Sequence, residues 1–153
     1  MIAVVQRVSR ACVSVDAEVV GRIGRGLLVL LGVGNSDTDA DVSYIVDKIA
    51  GLRVFADAAG RMNLSVAEAR GSVLAISQFT LLGDTRKGRR PNFMAAAPPT
   101  VAEALYDAVV AGLAEQVPTV QGRFGAMMDV ALVNDGPVTI VLSSRREFSP
   151  VPE

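Results

Sequence analysis

The sequence predicts an α/β domain in which a mixed β-sheet carries two main helices packed on one face. Three observations lead there. Apolar runs of strand length recur between glycines, two segments show the i, i+3, i+4 spacing of amphipathic helices, and those segments are far enough apart to lie side by side on one sheet face.

Residues 2–8, 11–15 and 18–23 read as strands, the last two separated by a turn near Asp16-Ala17. Residues 27–33 are continuously apolar between Gly26 and Gly34, the pattern of a central strand covered on both faces. Ser36-Asp37-Thr38 then offers caps for a helix in which Val42, Ile45, Val46 and Ile49 share one face and Gly51 is the stop signal. Residues 52–55 read as a strand, 57–61 as a turn-rich stretch, and 73–82 as a further apolar strand with Thr80 near its exit. Thr100-Val101-Ala102-Glu103 fits a capping box that opens the second helix, whose apolar stripe is Val101, Ala104, Leu105, Ala108 and Val109. Pro118 ends it. Residues 130–133 and 138–142 make a closing strand pair around a Gly136-Pro137 turn, and residues 145–153 form a C-terminal tail.

At 153 residues and 50% hydrophobic content, the chain suits a single domain over residues 1–153. A chain of that size hides roughly 70% of its unfolded surface. Charged residues are 20% and aromatics only 5%, so the core must be built from Val, Leu, Ile and Ala. The run 27–31 is too short to span a bilayer, and the first residues lack the charged head and apolar stretch of a secretory signal, so a cytoplasmic protein is expected. Cys12 is the one cysteine; it permits no internal disulfide and reads as a small buried apolar residue.

A net charge of −1 argues against a surface that grips nucleic acid all over, because such binding needs many phosphate neutralisations. One local basic patch remains, made by Arg86, Lys87, Arg89 and Arg90, with Gly88 and Pro91 breaking regular structure around it. The chain has no histidine, so the commonest general base and metal ligand are both missing. Chemistry must come from hydroxyls, backbone groups or the substrate. Gly32-Val33-Gly34 invites a nucleotide-binding reading, but Asp37 stands where the third glycine belongs and no phosphate loop occurs elsewhere. Carboxylates are scattered and no Cys or His pair has ligand spacing, so neither cofactor nor metal is expected.

Several segments together resemble the D-aminoacyl-tRNA deacylases, trans-editing enzymes that remove D-amino acids from tRNA. They are Gln6-Arg7-Val8, residues 26–33, Met62-Asn63-Leu64-Ser65, Ser77-Gln78-Phe79-Thr80, Lys87-Gly88-Arg89-Arg90-Pro91, Phe124-Gly125-Ala126-Met127-Met128 and Asn134-Asp135-Gly136-Pro137-Val138-Thr139. They occur in family order across nearly the whole chain. The resemblance implies a barrel-like, three-layer β/β/α arrangement and hydrolysis of the ester between a D-amino acid and the terminal adenosine ribose of tRNA.

It further implies that Ser77, Gln78, Phe79 and Thr80 line the catalytic pocket, with backbone groups near Phe79 and Thr80 facing the reacting carbonyl. Thr80 carries the side-chain nucleophile candidate, although a threonine hydroxyl without a base is weak and the tRNA 2′-hydroxyl is the better activator. Gly136-Pro137 is expected as a cis peptide that acts as a chiral gate inside the partner subunit's site, oriented by Arg7, with residues 124–128 packing near the interface. Glycyl esters, lacking a substituent, should escape the gate. The partners implied are tRNA, through its aminoacylated end and with Arg86, Lys87, Arg89 and Arg90 as candidate contacts, and a second copy of the chain. Two other readings stay open: a noncatalytic module binding the tRNA end, and a small-molecule ester hydrolase using Thr80.

Overall fold

In the computed structural model, which describes residues 1–146, the sheet is assembled on one long strand, β1 (Ile2–Val15). Ala3 and Val5 in its first half and Ala11, Val13 and Val15 in its second are buried at alternate positions, with Val8 buried out of step between them, so the period-2 pattern holds within each half. One edge of β1 is shared by two strands. β3 (Gly26–Gly32) runs antiparallel along the near half, from Ile2↔Gly32 to Val8↔Gly26. β2 (Glu18–Ile23) folds back along the far half, from Val15↔Glu18 to Ala11↔Ile23, through a turn in which Asp16 and Ala17 take positive φ of 50° and 66°.

Two strands were expected where β1 runs unbroken. The hand-over from β3 to β2 falls at Ser9 and Arg10, where the ladder with the last strand also shifts register, and those two exposed residues supply the gap in the apolar pattern. Beyond β3 come β6 (Ser72–Ser77) and β7 (Thr119–Gln121), each parallel to its neighbour. The order is β2-β1-β3-β6-β7, with β8 (Asp129–Ser143) on the other edge of β1. A ribbon of β4 (Phe55–Ala56) and β5 (Met62–Leu64) stands apart, its turn held by the Asp57 carboxylate accepting from the N–H groups of Ala59 and Arg61. Of the strand expected over 52–55, only its last residue pairs.

Burial divides into two cores. On one face Ala3, Val5, Leu27, Val29, Leu31, Val73 and Ala75 meet α1 (Asp39–Gly51) and α2 (Pro99–Ala114), which contribute Val42, Ile45, Val46 and Ile49, and Ala102, Tyr106, Val109 and Leu113. On the other, Val8, Ala11, Val13, Ile23, Leu28, Leu74 and Ile76 are covered by Val20 of β2, Val120 of β7 and Val130 and Leu132 of β8. The sheet therefore curls into a nearly closed barrel with both helices on one side, as expected. β3 is covered on both faces, which its unbroken apolar run had indicated.

α1 begins where its sequence said. Thr38 N donates to Asp41 Oδ2 at 2.8 Å, and the apolar stripe is the buried one. Asp37 has a different role from the expected cap: its buried carboxylate lies 2.7 Å from the Met1 ammonium and accepts from Gly34 N at 2.6 Å. α2 differs too. It starts at Pro99 with Pro98 as N-cap, and Ala102 N bonds Pro98 O, because a proline at the first helical position loses no hydrogen bond. The Thr100 capping box does not form. Residues 147–153 of the expected tail lie outside the described residues.

Candidate active site

The strand expected over 73–82 ends at Ser77. Its β3 partner gives out one residue later: Ser77 pairs Leu31, Gln78 N reaches Leu31 O at 2.8 Å, and β3 stops at Gly32. With no ladder left, the chain turns into a 3₁₀ segment, Phe79–Leu82, in which Leu81 N bonds Gln78 O and Gly83 N bonds Thr80 O. Thr80 thus sits on an exposed turn, not in a strand.

The N–H groups of Phe79 and Thr80 open this turn, so its own ladder gives them no acceptor. Two adjacent unpaired donors on an exposed turn can hold an oxyanion. The Thr80 hydroxyl accepts from Gln78 Nε2 at 2.5 Å. A carboxamide NH₂ only donates, so it cannot take the hydroxyl proton, and Gln78 orients Thr80 without activating it. The Phe79 ring is 54% exposed and stands edge-to-face on Phe93 with centroids 5.0 Å apart.

The basic loop follows directly. Asp84 and Asn92 close its neck through paired backbone bonds of 2.8 and 2.9 Å. Arg86 is tied to Asp84 at 2.6 Å, and that hydrogen-bonded guanidinium pushes the Asp84 carboxyl down to about 2. Arg86 is thus paired with Asp84, while Lys87, Arg89 and Arg90 have no carboxylate partner among the described residues.

The second group of expected site residues gathers elsewhere. Residues 130–133 and 138–142 do not pair with each other. Both lie along β1 as one strand, β8, interrupted by a bulge. The register runs Gln6↔Thr139 on one side and Val8↔Asn134 on the other, so Asp135, Gly136, Pro137 and Val138 all stand opposite Arg7. The Gly136-Pro137 peptide is cis and both residues are exposed, with Gly136 at φ +125°. Arg7 Nε donates to Asp135 O at 3.2 Å and faces its carboxylate at 3.2 Å, while Nη1 donates to Val54 O at 2.5 Å. Arg7 accordingly braces the bulge.

Within one chain the two groups do not meet. Ser77 is level with Ala3 through Leu31, and Arg7 lies four residues further along β1. At ~3.3 Å per residue and ~4.8 Å per strand, the separation is roughly 13 Å along the sheet and about 10 Å across it. The 3₁₀ turn folds back over the end of β3, past Leu31 and away from Arg7 along the sheet. Between them in sequence, residues 124–128 connect β7 to β8: Phe124 tilts against Tyr106 at 6.0 Å, Met128 packs on the second core, and Met127 is 92% exposed. The outer edge of β8 has no strand partner among the described residues and carries the exposed Val133 and Val141.

Two contributors were not legible beforehand. Gly32 lies against the back of the 3₁₀ turn, and the Asn134 side chain spans the bulge. Asn134 was visible as the first residue of a family-like segment, but its partner across β1 was not. For metals, no group of three or more potential ligands occurs among the described residues. No helix among them is long and apolar enough to cross a membrane.

The profile of the family described as D-Tyr-tRNA(Tyr) deacylase matches residues 4–143. A D-aminoacyl-tRNA deacylase of Anaeromyxobacter dehalogenans is 62% identical over 149 residues, covering 97% of this chain and all of the relative. One from Desulforudis audaxviator is 60% identical over 149 residues, with the same coverage. Among solved structures, a c-Myc DNA unwinding element binding protein superposes with a TM-score of 0.89 at 42% identity, covering 99% of this chain and 100% of the other. A probable eukaryotic D-amino acid tRNA deacylase gives 0.80 at 18% identity, covering 92% and 97%, a likeness of fold.

Proposed function

From the premise that this chain belongs to the D-Tyr-tRNA(Tyr) deacylase family and hydrolyses D-aminoacyl-tRNA esters, we propose that it works as a homodimer in which each Gly136-Pro137 bulge closes the partner's catalytic turn. The observation that carries this reading is the separation just described. An exposed bulge braced by Arg7 lies too far from Phe79 and Thr80 of its own chain to act there, and the unpaired β8 edge with Val133 and Val141 offers a surface for a second copy.

In this reading the ester carbonyl sits against the Phe79 and Thr80 N–H groups, which stabilise the developing oxyanion. Water is the nucleophile, and the neighbouring ribose 2′-hydroxyl of the substrate assists it; the protein orients and excludes. The main-chain atoms of Gly136-Pro137 refuse an L substituent by collision, so any D side chain is accepted without being recognised. Glycyl-tRNA, including glycine mischarged on tRNA-Ala, has nothing to collide and is cleaved as well. Lys87, Arg89 and Arg90 meet phosphates near the tRNA end, and the work is done in the cytoplasm, where charged tRNA is used.

A deacylation assay on matched D- and L-aminoacyl-tRNA, repeated over a dilution series with gel filtration, tests the whole reading. Cleavage of the D ester alone, lost as the dimer dissociates, is the expected result. Equal cleavage of both enantiomers, or a fully active monomer, would end it.

The Thr80 hydroxyl is a separate matter. Its one side-chain partner among the described residues, Gln78, is a donor. Thr80→Val should therefore slow deacylation by less than about tenfold, whereas loss of a covalent nucleophile costs many orders of magnitude. Single-turnover rates on D-aminoacyl-tRNA decide it, and complete loss with intact folding and tRNA binding would establish the covalent route.

A further inference from the structure

Arg7 braces only the entry of the bulge. Four residues of β8 opposite one of β1 leave peptide groups without ladder partners, and these need others. The Asn134 carboxamide supplies them at the other end: Nδ2 donates to Arg7 O and to Val138 O, each at 3.0 Å. The first acceptor lies on β1 beneath the bulge and the second follows Pro137 directly. One side chain thus ties the exit of the bulge to its base.

The orientation of that amide is itself fixed. Asn134 Oδ1 accepts from Thr139 Oγ1 at 3.3 Å, and Thr139 Oγ1 accepts from Gln6 Nε2 at 3.2 Å. Because Gln6 donates to the hydroxyl, the hydroxyl proton is free to point at Asn134. Reversing the amide would set its oxygen against two carbonyls and its NH₂ away from both. Asn134 is half-buried, so water replaces these bonds poorly.

We propose that Asn134, held in orientation by Thr139 and Gln6, is a positioning residue that fixes how far Gly136-Pro137 projects, and through it how strictly L-aminoacyl esters are refused. This rests on the chiral-gate reading above. Steric refusal depends on the gate atoms staying put, since a shift of a fraction of an ångström opens room for a methyl group, whereas the D substituent points elsewhere and gains little. Loosening the exit therefore raises L cleavage more than it lowers D cleavage.

The experiment measures kcat/KM on D- and L-aminoacyl-tRNA for Asn134→Ala, Thr139→Val, Thr139→Ser and Gly136→Ala, with melting temperatures alongside. Asn134→Ala and Thr139→Val should each cut the D-over-L ratio by about tenfold, chiefly through faster L cleavage, because the first removes the part-buried bonds to Arg7 O and Val138 O and the second removes the hydroxyl that orients the amide making them. Thr139→Ser, which keeps the hydroxyl, should restore the ratio. A purely structural role would slow both enantiomers together and leave the ratio alone. If Gly136→Ala collapses the ratio while Asn134→Ala and Thr139→Val do not, the positioning role is refuted and the gate stands. If Gly136→Ala leaves the ratio intact as well, the gate falls and this role with it. Should Asn134→Ala fail to fold, Thr139→Val, which retains the amide and the side-chain shape, decides the matter alone.

Discussion

Replacing Gly136 with alanine should lower cleavage of D-aminoacyl-tRNA by about a hundredfold and take the D-over-L preference with it, since displacing a site element by about an ångström has that cost. Two independent features make this position intolerant. Its φ of +125° is one that side-chain-bearing residues rarely adopt, at a cost of about 1–3 kcal/mol. A Cβ there would also lie 2.9 Å from Arg7 Nη2, 2.9 Å from Val138 Cγ2 and 3.1 Å from Val138 N. Arg7 can yield only by giving up its bonds to Asp135 O and Val54 O, and Val138 is a core residue that cannot retreat. The bulge must therefore move. Gly136 and Pro137 are exposed and belong to neither core, so the domain should still fold and dimerise. Rates on both enantiomers with circular dichroism would check this, and a variant that deacylates at the normal rate with its selectivity intact would mean that the bulge takes no part in the site.

How much of this was visible in the sequence depends on how far each feature reaches along the chain. The buried strand β3 and helix α1 are local: an unbroken apolar run between glycines, and four apolar residues on one helical face, leave little else for those segments to do. Phe79-Thr80-Leu81-Leu82 is the opposite case. Its residues suit a strand as well as those before it, and what ends β6 is the end of β3 at Gly32, dozens of residues earlier. Gly136-Pro137 likewise carries the composition of a hairpin turn, yet both flanks stay on β1, because Val130 and Leu132 before the bulge pack on one core and Val138, Ile140 and Leu142 after it pack on the other. The site followed the same rule. The segments that resemble the deacylase family were legible because they are contiguous, whereas the Asn134 bond to Arg7 O joins residues 127 apart. The Thr100 box failed for a local reason that outranked it, the proline at the first helical position.

Gly32→Ala is expected to have the next largest effect, and it acts from behind the catalytic turn. The 3₁₀ segment folds back over the end of β3, so a Cβ on residue 32 would meet Leu82 Cδ2 at 2.5 Å, Gln78 O at 3.0 Å and Leu81 Cβ at 3.1 Å. Leu82 can rotate away. Gln78 O and Leu81 Cβ cannot, because Gln78 N is anchored to Leu31 O and Gln78 O takes the Leu81 N–H that starts the turn. Relief has to come from the whole turn shifting outward by several tenths of an ångström, taking with it the Phe79 and Thr80 N–H groups. Overpacking of this kind costs about 1–3 kcal/mol of stability, which a well-packed domain survives. Donors aimed at a developing oxyanion are less forgiving: misplacing them should reduce kcat by about a hundredfold. KM should change far less, because the basic loop beyond Gly83, where tRNA is proposed to bind, is untouched. The split between kcat and KM is thus the diagnostic. A rise in KM with kcat preserved would mean that the turn binds substrate without stabilising its transition state, and the oxyanion would then have to be sought elsewhere than at Phe79 and Thr80.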